Sequence, residues 1–137
     1  MKIYIDGACS PNPGTGKAVA IVEKAGVLSK VKLIKKLPEA TNNIAEYNAL
    51  LLALEYVRSN VLGITMDSKP KQITICTDSK LIHGHMNENW KINVNIALVT
   101  RAKKLLHELR ETGIEITIKW IPREKNVAGV MIENGEI

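Results

Sequence analysis

Residues 2–8 alternate loosely between apolar and polar positions and are rich in Ile and Tyr, the pattern of a strand. Ser10-Pro11-Asn12-Pro13-Gly14-Thr15-Gly16 has two prolines and two glycines and reads as a turn. Residues 17–24 are an apolar run expected to form a second strand, and Ala25-Gly26 is a hairpin turn. Residues 27–37 set Val27, Val31, Leu33 and Leu37 against Ser29, Lys30, Lys32 and Lys36, which predicts a third strand. The chain therefore opens as a three-stranded antiparallel meander.

The period then changes. Thr41-Asn42-Asn43 is a helix N-cap signal, and the Ala- and Leu-rich segment 44–57 predicts a helix buried against a sheet. Residues 63–71 read as a polar loop. Residues 72–77 read as a fourth strand, parallel to the first because a helix connects them. A short helix is expected from Ser79 to about Met86 and a longer one over 95–111, closed by Gly113. Residues 114–120 alternate as a fifth strand that Pro122 ends, and a last helix is expected over 127–134. The order βββαβααβα describes an α/β fold: a mixed five-stranded sheet with helices on its faces, in a single domain over 1–137.

Charge adds one expectation. The net charge of +5 and pI near 9.3 suit a polyanionic partner. The two cysteines, Cys9 and Cys76, do not form a spaced framework and are expected as free thiols. No apolar run approaches the roughly 18 residues that span a bilayer, and the first residues carry no signal-peptide pattern, so a cytoplasmic protein without a membrane partner is expected.

Three acids carry the candidate chemistry. Asp6 follows the first strand's apolar residues, Glu46 lies in the first turn of the long helix, and Asp78 ends the fourth strand. Acids in such places are poorly solvated and repel one another unless a cation neutralises them. Carboxylate oxygens are hard ligands, which favours magnesium or manganese. For Glu46, a capping box with Asn43 is the structural alternative, and for Asp78 it is a helix N-cap.

Asp6-Gly7-Ala8, then Asn12-Pro13-Gly14, then Thr41-Asn42-Asn43 with Glu46, then Thr77-Asp78-Ser79, with Trp120-Ile121-Pro122-Arg123-Glu124-Lys125-Asn126 near the end, resembles ribonuclease H type 1. The resemblance spans the whole chain and keeps the order and spacing of the motifs. It implies the ribonuclease H-like fold and cleavage of the RNA strand of RNA–DNA hybrids with two Mg²⁺ or Mn²⁺ ions, leaving 5′-phosphate and 3′-hydroxyl ends. It implies Asp6, Glu46 and Asp78 as metal ligands, and a monomer whose partner is the hybrid. Cys9, Asn12, Asn42 and Asn43 match positions lining the hybrid's minor groove, and Thr41 matches one that holds a DNA-strand phosphate. Ser79 and Trp90 are further candidates for substrate contact. The segment 87–95 is too short for the basic handle of many bacterial members, so grip would fall to scattered lysines such as Lys17, Lys91, Lys103, Lys104 and Lys119.

The chain departs from the family pattern at two places. Where the family has a fourth acid, this chain has Val130. Glu133, one helical turn on, is the expected substitute. The alternatives are three acids with Asn126 donating an amide oxygen, or the remoter Glu136. The loop before that acid has Arg123 in place of the family's His, and an Arg would position the scissile phosphate rather than act as a base. His83 and His85 are expected to be solvent-exposed. Other readings are a hybrid-binding module impaired by Val130 and a different nuclease on the same fold.

Overall fold

The computed structural model describes residues 1–60 and 72–137, with the backbone alone at 28–30. Strands β1 (Lys2–Cys9), β2 (Gly14–Lys24) and β3 (Val27–Ala40) come first, followed by helix α1 (Asn42–Asn60). Then come strand β4 (Gln72–Thr77), helices α2 (Lys80–Asn87) and α3 (Ile96–Glu111), and strand β5 (Glu115–Trp120). A 3-10 turn at Arg123–Lys125 leads into helix α4 (Val127–Glu133). The expected loop at 63–71 lies outside the described residues.

The strands form one mixed sheet in the order β3-β2-β1-β4-β5. The meander β1–β2–β3 is antiparallel, while β1–β4 and β4–β5 are parallel. Two strands are longer than their sequence pattern suggests. β2 begins at Gly14, because both glycines of the supposed turn pair with β3 across a register shift between them. β3 continues past Leu37 through Pro38, which an edge strand tolerates because the missing N–H can face solvent. Leu37 and Ala40 then pack on Ala45 at the start of α1.

The period-two pattern divides the sheet into two faces. Ile3, Ile5, Ala18, Ala20, Val22, Ile73 and Ile75 point to the side covered by α1, α2 and α3. Val19 and Ile21 point to the other side, where Ala128 of α4 packs with Tyr4 and Met131. α1 buries residues on nearly every face, Tyr47, Leu50, Leu51, Leu54 and Val57 among them, because the sheet and α3 enclose it together.

Candidate active site

β1 is central and runs parallel to β4, so the carboxyl ends of both strands emerge side by side, the usual place for a site in an open α/β sheet. Tyr4 pairs with Cys76, and the same offset brings Asp6 level with Asp78. Glu46 arrives from α1 because residue 7 is glycine. A Cβ on Gly7 would lie 2.1 Å from the Ala45 carbonyl carbon and 2.3 Å from the Glu46 nitrogen. The first turn of α1 therefore rests directly on β1. One oxygen from each of Asp6, Glu46 and Asp78 lies within 4.8 Å of the others.

Caps and strand-end bonds fix these positions. Thr41 Oγ1 accepts from the Ile44 amide at 3.2 Å, so the cap of α1 precedes Asn43 and the Asn43–Glu46 capping box does not form. Ser79 caps α2, its Oγ accepting from the Ile82 amide at 3.2 Å, which leaves the Asp78 carboxylate free for the cluster. The Trp120 indole N–H donates to the Asp78 carbonyl at 3.1 Å, and the Ile121 amide donates to Thr77 at 2.8 Å. Trp120 was legible as part of a motif but not as the clamp on Asp78.

A guanidinium and an amide complete the centre. Arg123 Nη1 donates to Asp6 Oδ1 at 2.7 Å and to Asp78 Oδ2 at 3.1 Å, while its Nε donates to Glu133 Oε1 at 2.9 Å. Asn126 is fully buried and makes no side-chain cap on α4. Its Nδ2 donates instead to the Ile5 carbonyl at 2.8 Å and to Asp78 Oδ2 at 2.7 Å. Both partners are acceptors, which fixes the amide orientation and turns Oδ1 the other way. Glu133 stands outside the three-acid group, on the far side of the guanidinium, with its side chain 58% exposed. Glu136 is exposed and meets Asn134.

The electrostatics follow from burial. Desolvation pushes Asp6 up to about 6, with Arg123 pulling down and Asp78 pushing up. Desolvation likewise pushes Glu46 up to about 7, against a hydrogen bond from Ser79. In the unfolded chain these acids return to 3.8 and 4.5. Between those values and about 7 the native state holds protons that the unfolded chain has lost, so its stability falls as pH rises. Metal-free protein should lose about 3 kcal/mol of unfolding free energy between pH 5 and pH 8. Urea denaturation in EDTA at the two pH values measures this, and a flat or rising profile would contradict it.

The cluster fits a divalent cation. Asp6 Oδ2 is buried without a hydrogen-bond partner among the described residues, and an orphaned carboxylate oxygen within a group of three convergent carboxylates forms a hard donor set. Millimolar Mg²⁺ or Mn²⁺ should therefore raise the melting temperature at pH 8 and have less effect at pH 5, where protons occupy the same oxygens.

The remaining expected residues divide into three groups. Cys9, Asn12 and Asn42 come together: Cys9 N–H and Asn42 N–H donate to Asn42 Oδ1 and Asn12 Oδ1 respectively, each at 3.2 Å. Asn43 is exposed beside them, and Thr41 is occupied as the cap. Trp90 stands apart at 44% exposure with its ring over Gly84 of α2. Among the lysines, Lys17 donates to the Ile137 carbonyl and Lys103 to Asn89. His85 corrects an expectation, because it is 4% exposed and its Nδ1 hydrogen-bonds the Tyr47 hydroxyl. Burial lowers its pKa. The reason is position: His85 follows buried Ile82 by three residues and shares its inward face. Both cysteines are free, and among the described residues no helix is long and apolar enough to cross a membrane.

Comparison with known proteins agrees with this fold. A family model for RNase H matches residues 1–134. The bifunctional protein Rv2228c of Mycobacterium tuberculosis is 30% identical over 98% of this chain, which spans 35% of that protein's length. The solved RNase H1 of the halophilic archaeon Halobacterium salinarum NRC-1 superposes with a TM-score of 0.72 at 26% identity, covering 97% of both chains. LC11-RNase H1, solved in complex with an RNA/DNA hybrid, has the same fold: TM-score 0.73, 24% identity and 99% of both chains covered.

Proposed function

The chain belongs to the ribonuclease H family, and we propose that it hydrolyses the RNA strand of RNA–DNA hybrids at the Asp6–Glu46–Asp78 centre. The observation that carries this reading is the convergence of three poorly solvated carboxylates within 4.8 Å, one oxygen of Asp6 being buried without a partner among the described residues. A structural role does not account for such an arrangement, because it opposes folding at neutral pH. The hybrid bound to LC11-RNase H1 on the same fold supports the substrate class.

In this reading Asp6, Glu46 and Asp78 hold the Mg²⁺ or Mn²⁺ ions, two being expected with substrate. Bound there, divalent metal lowers the pKa of the attacking water and neutralises charge on the leaving 3′ oxygen. Asn126 fixes the rotamer of Asp78 through its 2.7 Å bond. Arg123 cannot take a proton at neutral pH, so it orients the phosphate. Cys9, Asn12, Asn42 and Asn43 present small polar groups at the site's rim, suited to the 2′-hydroxyls that distinguish RNA from DNA. Thr41, Ser79 and Trp90 are proposed contacts along the strands.

The test is cleavage of an end-labelled RNA–DNA hybrid in Mg²⁺ and in Mn²⁺, with duplex DNA and duplex RNA as controls. Cuts confined to the hybrid's RNA and ending in 3′-hydroxyls support the proposal. Binding without cleavage in either metal would favour a hybrid-binding module, with Val130 in place of the family's acid as its cause.

A further inference from the structure

Arg123 is shared between two sets of anions. Its inward nitrogen bonds Asp6 and Asp78 at 2.7 and 3.1 Å, and its outward Nε bonds Glu133 at 2.9 Å. The inner pair belongs to the carboxylate centre, where Asp6 is 1% exposed, whereas Glu133 is largely in solvent. The guanidinium lies against α4 at Gly129, where a Cβ would come within 2.9 Å of Nη1 and 3.0 Å of Cζ. Any larger residue at 129 would press the guanidinium off its present seat.

We propose that Arg123 is a built-in counter-cation: it neutralises Asp6 and Asp78 in the metal-free protein, yields them to the entering divalent ion, and withdraws onto Glu133. The inference rests on the divalent-cation reading of this centre. The physical basis is competition. The guanidinium and a divalent ion need the same two carboxylates, and two cations that close repel each other strongly in a partly dry site. Without Arg123 the metal-free centre would hold three crowded acids with no opposing charge on them among the described residues. Without Glu133 the displaced guanidinium would lose its other anion and stay on the inner pair. Glu133 is then a positioning residue that acts through Arg123 rather than a metal ligand.

The two roles for Glu133 make opposite predictions in a double-mutant cycle. Mn²⁺ binding is measured by calorimetry at pH 8 for wild type, Arg123→Gln, Glu133→Gln and the double variant, with melting temperatures in EDTA. Arg123→Gln should bind Mn²⁺ about tenfold more tightly and melt lower without metal. Glu133→Gln should bind about threefold more weakly when Arg123 is present and no more weakly than its parent when Arg123 is absent. Arg123→Lys keeps the charge but not the fork, and removes the dependence on Glu133 if Arg123→Gln does not fold. Unchanged or weaker Mn²⁺ binding by Arg123→Gln overturns the inference. So does an equal loss from Glu133→Gln in both backgrounds, which would make Glu133 a ligand. Failure of every variant, wild type included, to take up Mn²⁺ would instead overturn the metal reading beneath it.

Discussion

Asp6→Asn should abolish hybrid cleavage, by roughly 10³-fold or more, and at the same time make the metal-free protein more stable at pH 8. The loss follows from position. Asp6 is the most buried of the three acids, lies on the central strand and has one oxygen without a partner. An amide in its place offers the metal a weaker donor and one negative charge fewer. In the proposed mechanism, loss of a metal held by Asp6 would remove both water activation and leaving-group stabilisation, more than the roughly 10²–10³ of a single oxyanion donor. The gain in stability has the opposite origin. Even with Arg123 at 2.7 Å, burial holds the Asp6 carboxyl up to about 6, so its ionised form is disfavoured in the fold. Removing that charge should raise the melting temperature in EDTA at pH 8 by roughly 5 °C and flatten the decline with pH. Cleavage within tenfold of wild type would remove Asp6 from the catalytic centre. Inactivity accompanied by a lower melting temperature would point to damaged folding instead.

The burial of an acid that opposes folding also bears on what the sequence could reveal. Features set by local period or by short motifs were legible: five strands and four helices in their order, and the three acids at strand ends and a helix start. Features set by contacts distant in sequence were not. Arg123 meets Asp6 across 117 residues and Glu133 across the whole of α4, so neither pairing leaves a periodic trace. His85 is polar on a short helix, a position that suggests exposure, yet its buried hydrogen-bond partner Tyr47 lies on another helix. The start of β2 departs from its composition, because Gly14 and Gly16 are turn-type residues that here sit in a ladder with a register shift. Asn126 was legible as a polar candidate at a helix start, but not as a bridge from Ile5 to Asp78, which needs the sheet already formed.

Gly7 is the position where fold and site depend on the same missing atom. Its backbone needs no unusual torsion, since it lies in the β1 ladder opposite Ala18. Glycine is required by the contact on the other side. A methyl group there would sit 2.1 to 2.4 Å from the Ala45 carbonyl and the Glu46 amide, and these are backbone atoms that no rotamer change can move aside. Gly7→Ala must therefore lift the first turn of α1 from β1. That opens the packing of Ala45 with Leu37 and Ala40. The expected cost is about 3 kcal/mol or more, at the upper end for overpacking because the strain falls on main chain. The same displacement draws Glu46 out of the 4.8 Å group, so surviving folded protein should bind Mn²⁺ weakly and cleave hybrid far less than its stability loss alone explains. Denaturation and Mn²⁺ titration of Gly7→Ala measure the two effects separately. Wild-type stability in Gly7→Ala would show that α1 does not rest on β1 as described. Lost stability with intact Mn²⁺ affinity would separate the seat of the helix from the centre it positions.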